Sequence, residues 1–433
     1  MVSPRKVGGI STYVSLIVLY ATAGRHLLFR LIRIPSPLLE TRQRTSTGRT
    51  LNEKRLVDEP MIDDEHGRND FIVHFDEILS RNQESNNHTS AEHFAALILR
   101  ADRAGPRVYC RRTQMKSLSR GKYFVQMLRQ GLKQYPTRPI ANAIPILIKH
   151  DDSNGCYPVT HNDKYGFPRL SWSIPASMAI DSPQEDDPSS SSTWCDAISM
   201  PSYKMWKDVH KKKEGIPNSR TNNTNTLYPW SEKIPKAVWR GSTTCNNGMY
   251  GHLPLSDIPR SRLVKSSLER PDLIDAGFHK LVGKYAKVAP RSILKEPIPL
   301  SEMMKYKAII DIDGNNWSAR FPSLLCTNSI IIKITPDFVD QYAHELVPNV
   351  HYVPSSLDNL TQVVEYILDS RNDGIMREIV KKANEWCQLN LRRKESFAIK
   401  AMHALEMYRD SLERYGVVSW ESPVFDDMVE CDV

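Results

Sequence analysis

Tyr306-Lys-Ala-Ile-Ile-Asp-Ile-Asp-Gly-Asn-Asn-Trp-Ser-Ala-Arg-Phe321 is the stretch whose reading decides the fold. Tyr306 to Ile310 is an apolar run that predicts a strand. Phe321 to Leu325 predicts the first turns of a short helix, and Ser329-Ile-Ile-Ile-Lys-Ile334 a second strand. Asp311 to Arg320 is then a polar loop at the carboxyl end of a strand, the place where ligands bind in open α/β sheets. Its backbone N–H groups, the Ser318 hydroxyl and the Arg320 guanidinium are groups that hold phosphate. Asp313 is a candidate acceptor for a sugar hydroxyl. The same residues suit an ordinary connection, with Gly314 free to take positive φ and Asn and Ser as caps. The surrounding sequence decides between the two.

Upstream, Ala237-Val-Trp-Arg-Gly-Ser-Thr-Thr244 reads as a strand end followed by a second anion-suited loop, with Arg240, Gly241 and Ser242. Arg260 and Arg262 fall near the start of a predicted helix, and Leu273-Ile-Asp275 predicts a short strand. Asp337 to His344, Asn359 to Leu368, Gly374 to Trp386 and Ser396 to Leu412 predict helices, the third with Ile375, Ile379, Ala383 and Trp386 in register. Asn349 to Val353 predicts a strand. Further upstream, Ala91 to Arg103 and Gly121 to Tyr135 have helical spacing. Ile144 to Lys149 predicts a strand running into His150-Asp-Asp-Ser-Asn-Gly155, where a carboxylate stands at a strand end and the composition also suits a turn. Residues 167–174 predict a short strand. Met200 to Trp206 suits either a sugar-facing aromatic wall or a core edge.

The net charge of +8 is localised. Residues 1–60 hold 10 Lys and Arg against 4 Asp and Glu, leaving 48 against 46 for the other 373 residues. A nearly neutral folded part excludes a nucleic-acid-binding fold as the main reading. The seven cysteines have no CxxC spacing, so no zinc or dithiol motif is present. Arg5-Lys6 precedes 18 uncharged residues, Val7 to Gly24. These fit a signal anchor, a cleaved signal peptide with Ala21-Thr-Ala23 as its site, or a transit peptide, since no acidic residue precedes Glu40. Residues 35–90 have the composition of a disordered stem, with one apolar island at Phe71 to Phe75. Asn87, Asn222, Asn316 and Asn359 head glycosylation sequons.

Trp239-Arg-Gly-Ser242, Pro271-Asp-Leu-Ile-Asp-Ala-Gly277, Tyr306-Lys307, Asp311-Ile-Asp-Gly314 with Trp317-Ser-Ala-Arg-Phe321, and Pro348-Asn-Val-His-Tyr-Val-Pro354 stand in that order. Together they resemble glycosyltransferase family 90, which includes capsule xylosyltransferases and Rumi-type protein O-glucosyltransferases. The match is good over 236–405, loose over 120–210 and absent over 1–90.

The resemblance implies an α/β, GT-B architecture of two Rossmann-like domains facing a cleft, behind an N-terminal membrane or targeting segment. The expected division is a targeting segment at 1–34, a stem at 35–90, an acceptor domain at 91–235, a nucleotide-sugar domain with a returning helix at 236–415, and a tail at 416–433. It implies inverting transfer of glucose or xylose from UDP-glucose or UDP-xylose to a protein or glycan hydroxyl, with no cofactor, no essential metal and no nucleic-acid partner. Arg240 and Arg320 match the diphosphate-binding arginines, and Gly241, Ser242, Asp313, Gly314 and Ser318 their donor-binding loops. Asp151 matches the general base, with Asp152 as the alternative because the family's following Pro is absent. A Golgi or endoplasmic reticulum lumen, with a type II membrane anchor, is implied; secretion or an organelle after cleavage is the alternative. The competing readings are a non-catalytic relative that binds glycan or protein, and a polyanion-binding protein acting through residues 1–60. Asn316, inside the donor loop, is expected to be unmodified.

Overall fold

Ile330 to Ile332 is buried on both sides, and so are Ala308 to Ile310 and Ala237 to Trp239. Strands covered on both faces must sit inside a parallel sheet flanked by helices, and the computed structural model shows one. It describes residue 75 and residues 94–103, 105–112, 120–140, 143–149, 168–176, 197–210, 228–417 and 427–431.

The N-terminal half contains β1 (Phe94–Asp102), β2 (Gly105–Arg111), α1 (Gly121–Gln134), β3 (Ile144–Lys149), β4 (Arg169–Ser171), β5 (Ile174–Pro175), β6 (Ala197–Ser199) and α2 (Tyr203–His210). The C-terminal half contains β7 (Ile234–Ser242), α3 (Pro259–Glu269), β8 (Ile274–Lys280), β9 (Tyr306–Asp311), β10 (Ile330–Ile334), β11 (Phe338–Val339), β12 (Val353–Ser355), α4 (Leu360–Leu368), α5 (Asp373–Asn390), α6 (Lys394–Arg414) and β13 (Met428–Glu430). The first sheet is mixed, in the order β13-β2-β1-β3-β4-β6. The second, β12-β10-β9-β7-β8, is parallel throughout. A two-stranded β5–β11 pair links the halves, and α6 returns to the first, where the Tyr408 hydroxyl accepts from the Leu147 amide at 3.0 Å and donates to the Pro145 carbonyl at 3.1 Å.

In the second sheet the chain order reverses between β7 and β9: β8 lies outside β7, while β10 and β12 lie beyond β9. The connections leave in opposite directions there, opening a crevice at the carboxyl ends of the two strands. Both loops singled out by sequence end at that crevice.

Several expectations are corrected. Ala91 to Arg103 is not helical, since its described part is strand β1. Ala95 to Leu99 are all buried between β2 and β3, so the run lacks the alternation that marks a strand. Asp337 to His344 forms β11 and a 3-10 turn at Gln341–Glu345 instead of a helix. The strand expected at Asn349 to Val353 is instead Val353–Ser355, since Asn349 takes φ +60° in a turn. β7 continues to Ser242 and β8 runs to Lys280. On α5 the packed face is Met376, Ile379, Val380, Ala383 and Trp386, with Ile375 outward. Met200, Met205 and Trp206 are buried, so that segment is core and not a sugar-facing wall. Phe75, the one described residue of the expected stem, is buried in the same core. The targeting segment 1–34, both acidic candidates Asp151 and Asp152, and the sequons at Asn87 and Asn222 lie outside the described residues. Among the described residues no helix is long and apolar enough to cross a membrane.

Candidate functional site

β7 delivers Arg240-Gly-Ser242 to the crevice, and β9 delivers Asp311 and the loop to Arg320. Gly241 is dictated by close packing: a Cβ there would lie 2.2 Å from the Trp239 indole folded over it. Arg260, from the first turn of α3, clamps the two strand ends together. Its Nε donates to the Asp313 carbonyl at 2.9 Å, Nη1 to the Ser242 carbonyl at 3.0 Å and to Thr244 Oγ1 at 2.5 Å, and Nη2 to the Ile312 carbonyl at 3.2 Å. Burial, helped by the charge of Arg320, pushes its pKa down to about 10, so it stays a cation at neutral pH.

Arg320 Nη1 donates to the Arg240 carbonyl at 2.8 Å. Its Nη2 is buried and has no protein partner. Arg260 and Arg320 stand 5.5 and 6.0 Å from the Trp239 ring centroid, a cation–π arrangement on one indole. A buried guanidinium nitrogen without an acceptor is costly and suits an arriving anion. His279 lies at the neighbouring end of β8. Partial burial and then the charges of Arg320 and Arg260 lower its pKa, which registers the positive field of this end of the sheet.

The other predicted residues divide. Ser242 stands at the crevice, its Oγ 3.3 Å from Thr244 Oγ1. Gly314 packs against Arg260, where a Cβ would meet Nη2 at 3.0 Å. The Arg240 guanidinium does not face the loop: it is held by Asp275 Oδ2 at 3.0 Å and by the carbonyls of Asp275, Trp239 and Glu296. Asp313 is likewise engaged, one oxygen 2.9 Å from Lys333 Nζ and the other accepting from the Asp337 and Phe338 amides. Ser318 Oγ donates to Asp311 Oδ1 at 2.5 Å. His351 Nδ1 accepts from the Val347 amide in a turn. Sequence reasoning noticed Arg260 without giving it a role and missed His279 and Lys333. The signals were a strand-end position for His279 and a lone Lys in an isoleucine strand for Lys333. The described residues include no group of three or more His, Cys, Asp or Glu able to hold a metal ion.

Residues 189–418 match the family model for glycosyl transferase family 90. The chain belongs to that family. Relatives include protein 035R of Invertebrate iridescent virus 3, 28% identical over 48% of this chain and 20% of its own. Protein O-glucosyltransferase 1 of Mus musculus is 26% identical over 37% of this chain and 38% of its own. The O-glucosyltransferase rumi homolog of Aedes aegypti is 27% identical over 44% of this chain and 43% of its own. The chain thus spans less than half the length of each of these relatives. A solved glycosyltransferase from Rickettsia africae covers 49% of this chain and 53% of its own at 11% identity and a TM-score of 0.25, and adds nothing to the assignment.

Proposed function

We propose that this family 90 chain is an inverting glycosyltransferase of GT-B architecture that moves glucose or xylose from a UDP-sugar to a hydroxyl of a protein or glycan. The observation that carries the reading is the buried, partnerless Nη2 of Arg320 at the crevice where the parallel sheet reverses its order. The diphosphate of a sugar nucleotide supplies the acceptor that this nitrogen lacks. The names of the relatives, protein O-glucosyltransferases, favour glucose and a protein acceptor.

In this reading Asp151, or its neighbour Asp152, takes the proton of the acceptor hydroxyl as the oxygen attacks the anomeric carbon. The bond from that carbon to the β-phosphate oxygen breaks on the opposite face, which inverts the centre. The negative charge developing on UDP falls to Arg320, with Arg260 behind it and the Ser242 and Thr244 hydroxyls beside it. Two fixed guanidiniums fill the role that a divalent ion fills elsewhere. Arg240 and Asp313 shape the loops instead of touching the donor. A lumenal Golgi or endoplasmic reticulum location fits the Cys326–Cys387 and Cys110–Cys431 disulfides, which suit an oxidising compartment.

The test is titration of the full chain with UDP, and turnover of UDP-glucose and UDP-xylose, in wild type, Arg320→Ala and Asp151→Asn. UDP binding weakened at least tenfold in Arg320→Ala, with turnover lost but UDP binding kept in Asp151→Asn, is expected. A folded wild type that neither binds UDP nor releases it from any donor points instead to a non-catalytic family member.

A further inference from the structure

Lys333 interrupts the isoleucine strand β10 and is buried. Its Nζ lies 2.8 Å from Asp311 Oδ2 and 2.9 Å from Asp313 Oδ1. The other oxygen of Asp311 accepts from Ser318 Oγ and lies 3.6 Å from Arg320 Nε. That distance is inside the reach of an ion pair and outside that of a good hydrogen bond. Four charges are therefore packed together, two carboxylates and two cations, and Lys333 touches both carboxylates while Arg320 touches neither closely. Burial works to lower the pKa of Lys333, and the two carboxylates overcome it, so the amine is held charged. Burial works to raise Asp311, and the charges of Lys333 and Arg320 with the Lys333 and Ser318 hydrogen bonds hold it below the ordinary carboxylate range.

The pair Arg240–Asp275 differs in which oxygens are taken: Lys295 Nζ holds only Oδ1 there, at 3.0 Å, and Oδ2 goes to Arg240, whereas Lys333 and Ser318 between them occupy both oxygens of Asp311. There the guanidinium closes onto the carboxylate and its backbone, and no nitrogen is left for a ligand. Asp311 is buried more deeply than Asp275 and has a stronger call on a nearby guanidinium. Buried ion networks are weak as sources of stability compared with apolar packing, which makes an Ile-Lys-Ile strand a poor choice for stability alone.

We infer that Lys333 is a positioning residue for donor binding: by neutralising Asp311 it keeps the Arg320 guanidinium from closing onto that carboxylate and leaves Nη2 turned to the diphosphate. The inference rests on the donor-site reading above and adds a reason why the site is preorganised. Asp313 takes the second hydrogen bond of Lys333 and its other oxygen is tied to the amides of Asp337 and Phe338, whereas the carboxylate paired with Arg320 is Asp311. The two carboxylates are thus unequal: only Asp311 competes for Arg320.

That inequality gives the test. UDP affinity is measured by calorimetry for the full chain in wild type, Lys333→Met, and the double variants Lys333→Met with Asp311→Asn and Lys333→Met with Asp313→Asn. Lys333→Met is expected to bind UDP at least tenfold more weakly. Adding Asp311→Asn removes the competitor and is expected to restore affinity to within about threefold of wild type. Adding Asp313→Asn restores the same net charge but leaves Asp311 in place, and affinity is expected to stay low. If Lys333→Met does not fold, the two charge-balanced double variants carry the comparison. Wild-type affinity in Lys333→Met, or equal rescue by both asparagines, overturns the inference, since a merely structural lysine or a bulk charge effect would not tell Asp311 from Asp313. A wild type that does not bind UDP overturns the donor reading and the inference with it.

Discussion

Arg240 Nη2 lies 3.0 Å from Asp275 Oδ2, and this contact separates two arginines that look alike in the sequence. Burial works to raise the pKa of Asp275, and Arg240 and Lys295 together hold it below the ordinary range. Arg240→Ala removes one partner of a mostly buried pair while Lys295 remains 3.0 Å away to share the charge. A loss of about 1–3 kcal/mol of stability is expected, read as a lower urea midpoint. Arg320→Ala removes one hydrogen bond, to the Arg240 carbonyl, and a nitrogen that already lacks a partner; it is expected to cost less stability than Arg240→Ala, about 1 kcal/mol, while weakening UDP roughly ten- to a hundredfold. Denaturation and UDP titration of both variants check the contrast; the reverse pattern would assign the diphosphate to Arg240.

Asp340 is the titrating group to watch. It is buried, accepts one backbone hydrogen bond from Tyr342, and lines a small cavity with Trp317, Phe321, Lys333 and Tyr352. Burial pushes its pKa up to about 7. A folded-state value above the unfolded one means that the folded chain holds the extra proton between about pH 4 and 7. The stability this group contributes is complete below that window and is lost as pH rises through it. Asp340→Asn keeps an acceptor for the Tyr342 amide and removes the charge. It is expected to stabilise the protein at pH 8 by roughly 2–4 kcal/mol and to flatten the change between pH 4 and 7. Thermal melts at stepped pH read both effects; parallel wild-type and variant curves would show that Asp340 is ionised throughout.

Much of this arrangement was legible in the sequence, for identifiable reasons. β9, β10 and the short helix at Phe321 are continuous apolar runs bounded by polar turns, so periodicity and length suffice. The two loops at strand ends followed from the general rule on open sheets. The topological reversal that brings them together did not, since strand order is set by long-range packing. Nor did the fate of individual charges. Whether Arg240 or Arg320 faces the ligand depends on Asp275 lying on the adjacent strand, 35 residues away. Asp313 looked free because Lys333 arrives only when β10 pairs with β9. β1 was misread because burial on both faces erases the period of two that distinguishes a strand.

Cys326 and Cys387 join the end of the short helix that follows Arg320 to α5, with Cα atoms 5.5 Å apart and a sequence separation of 61. Closing a loop of that length lowers the entropy of the unfolded chain by about 4 kcal/mol at room temperature in the chain-entropy model. Cys326→Ala with Cys387→Ala is therefore expected to lose roughly 2–4 kcal/mol, seen as a lower melting temperature under non-reducing conditions. Wild type in reductant should fall toward the double variant, and the double variant should be indifferent to reductant. An unchanged melting temperature in both comparisons would show that the two thiols are not joined in solution.

Asn316 and Asn359 head the two sequons that the structure describes, and it sets them apart. Asn316 is 3% exposed, its Oδ1 accepts from Asn246 Nδ2 at 2.9 Å, and its Nδ2 is enclosed. The sequon hydroxyl, Ser318 Oγ, is held by buried Asp311. A glycan on that amide nitrogen would have to displace the loop that carries Arg320. Asn359 sits in an exposed turn before α4, with Ser355 and Ser356 around its side-chain oxygen. Expression in a secretory host is expected to give glycan on Asn359 and none on Asn316, mapped by mass spectrometry of peptides after enzymatic deglycosylation in heavy-oxygen water. Asn359→Gln should then remove that glycan without changing UDP affinity, because the turn lies outside the strand ends that form the crevice. Glycan on Asn316 in a protein that still binds UDP would mean that the loop from Asp311 to Arg320 does not hold the donor.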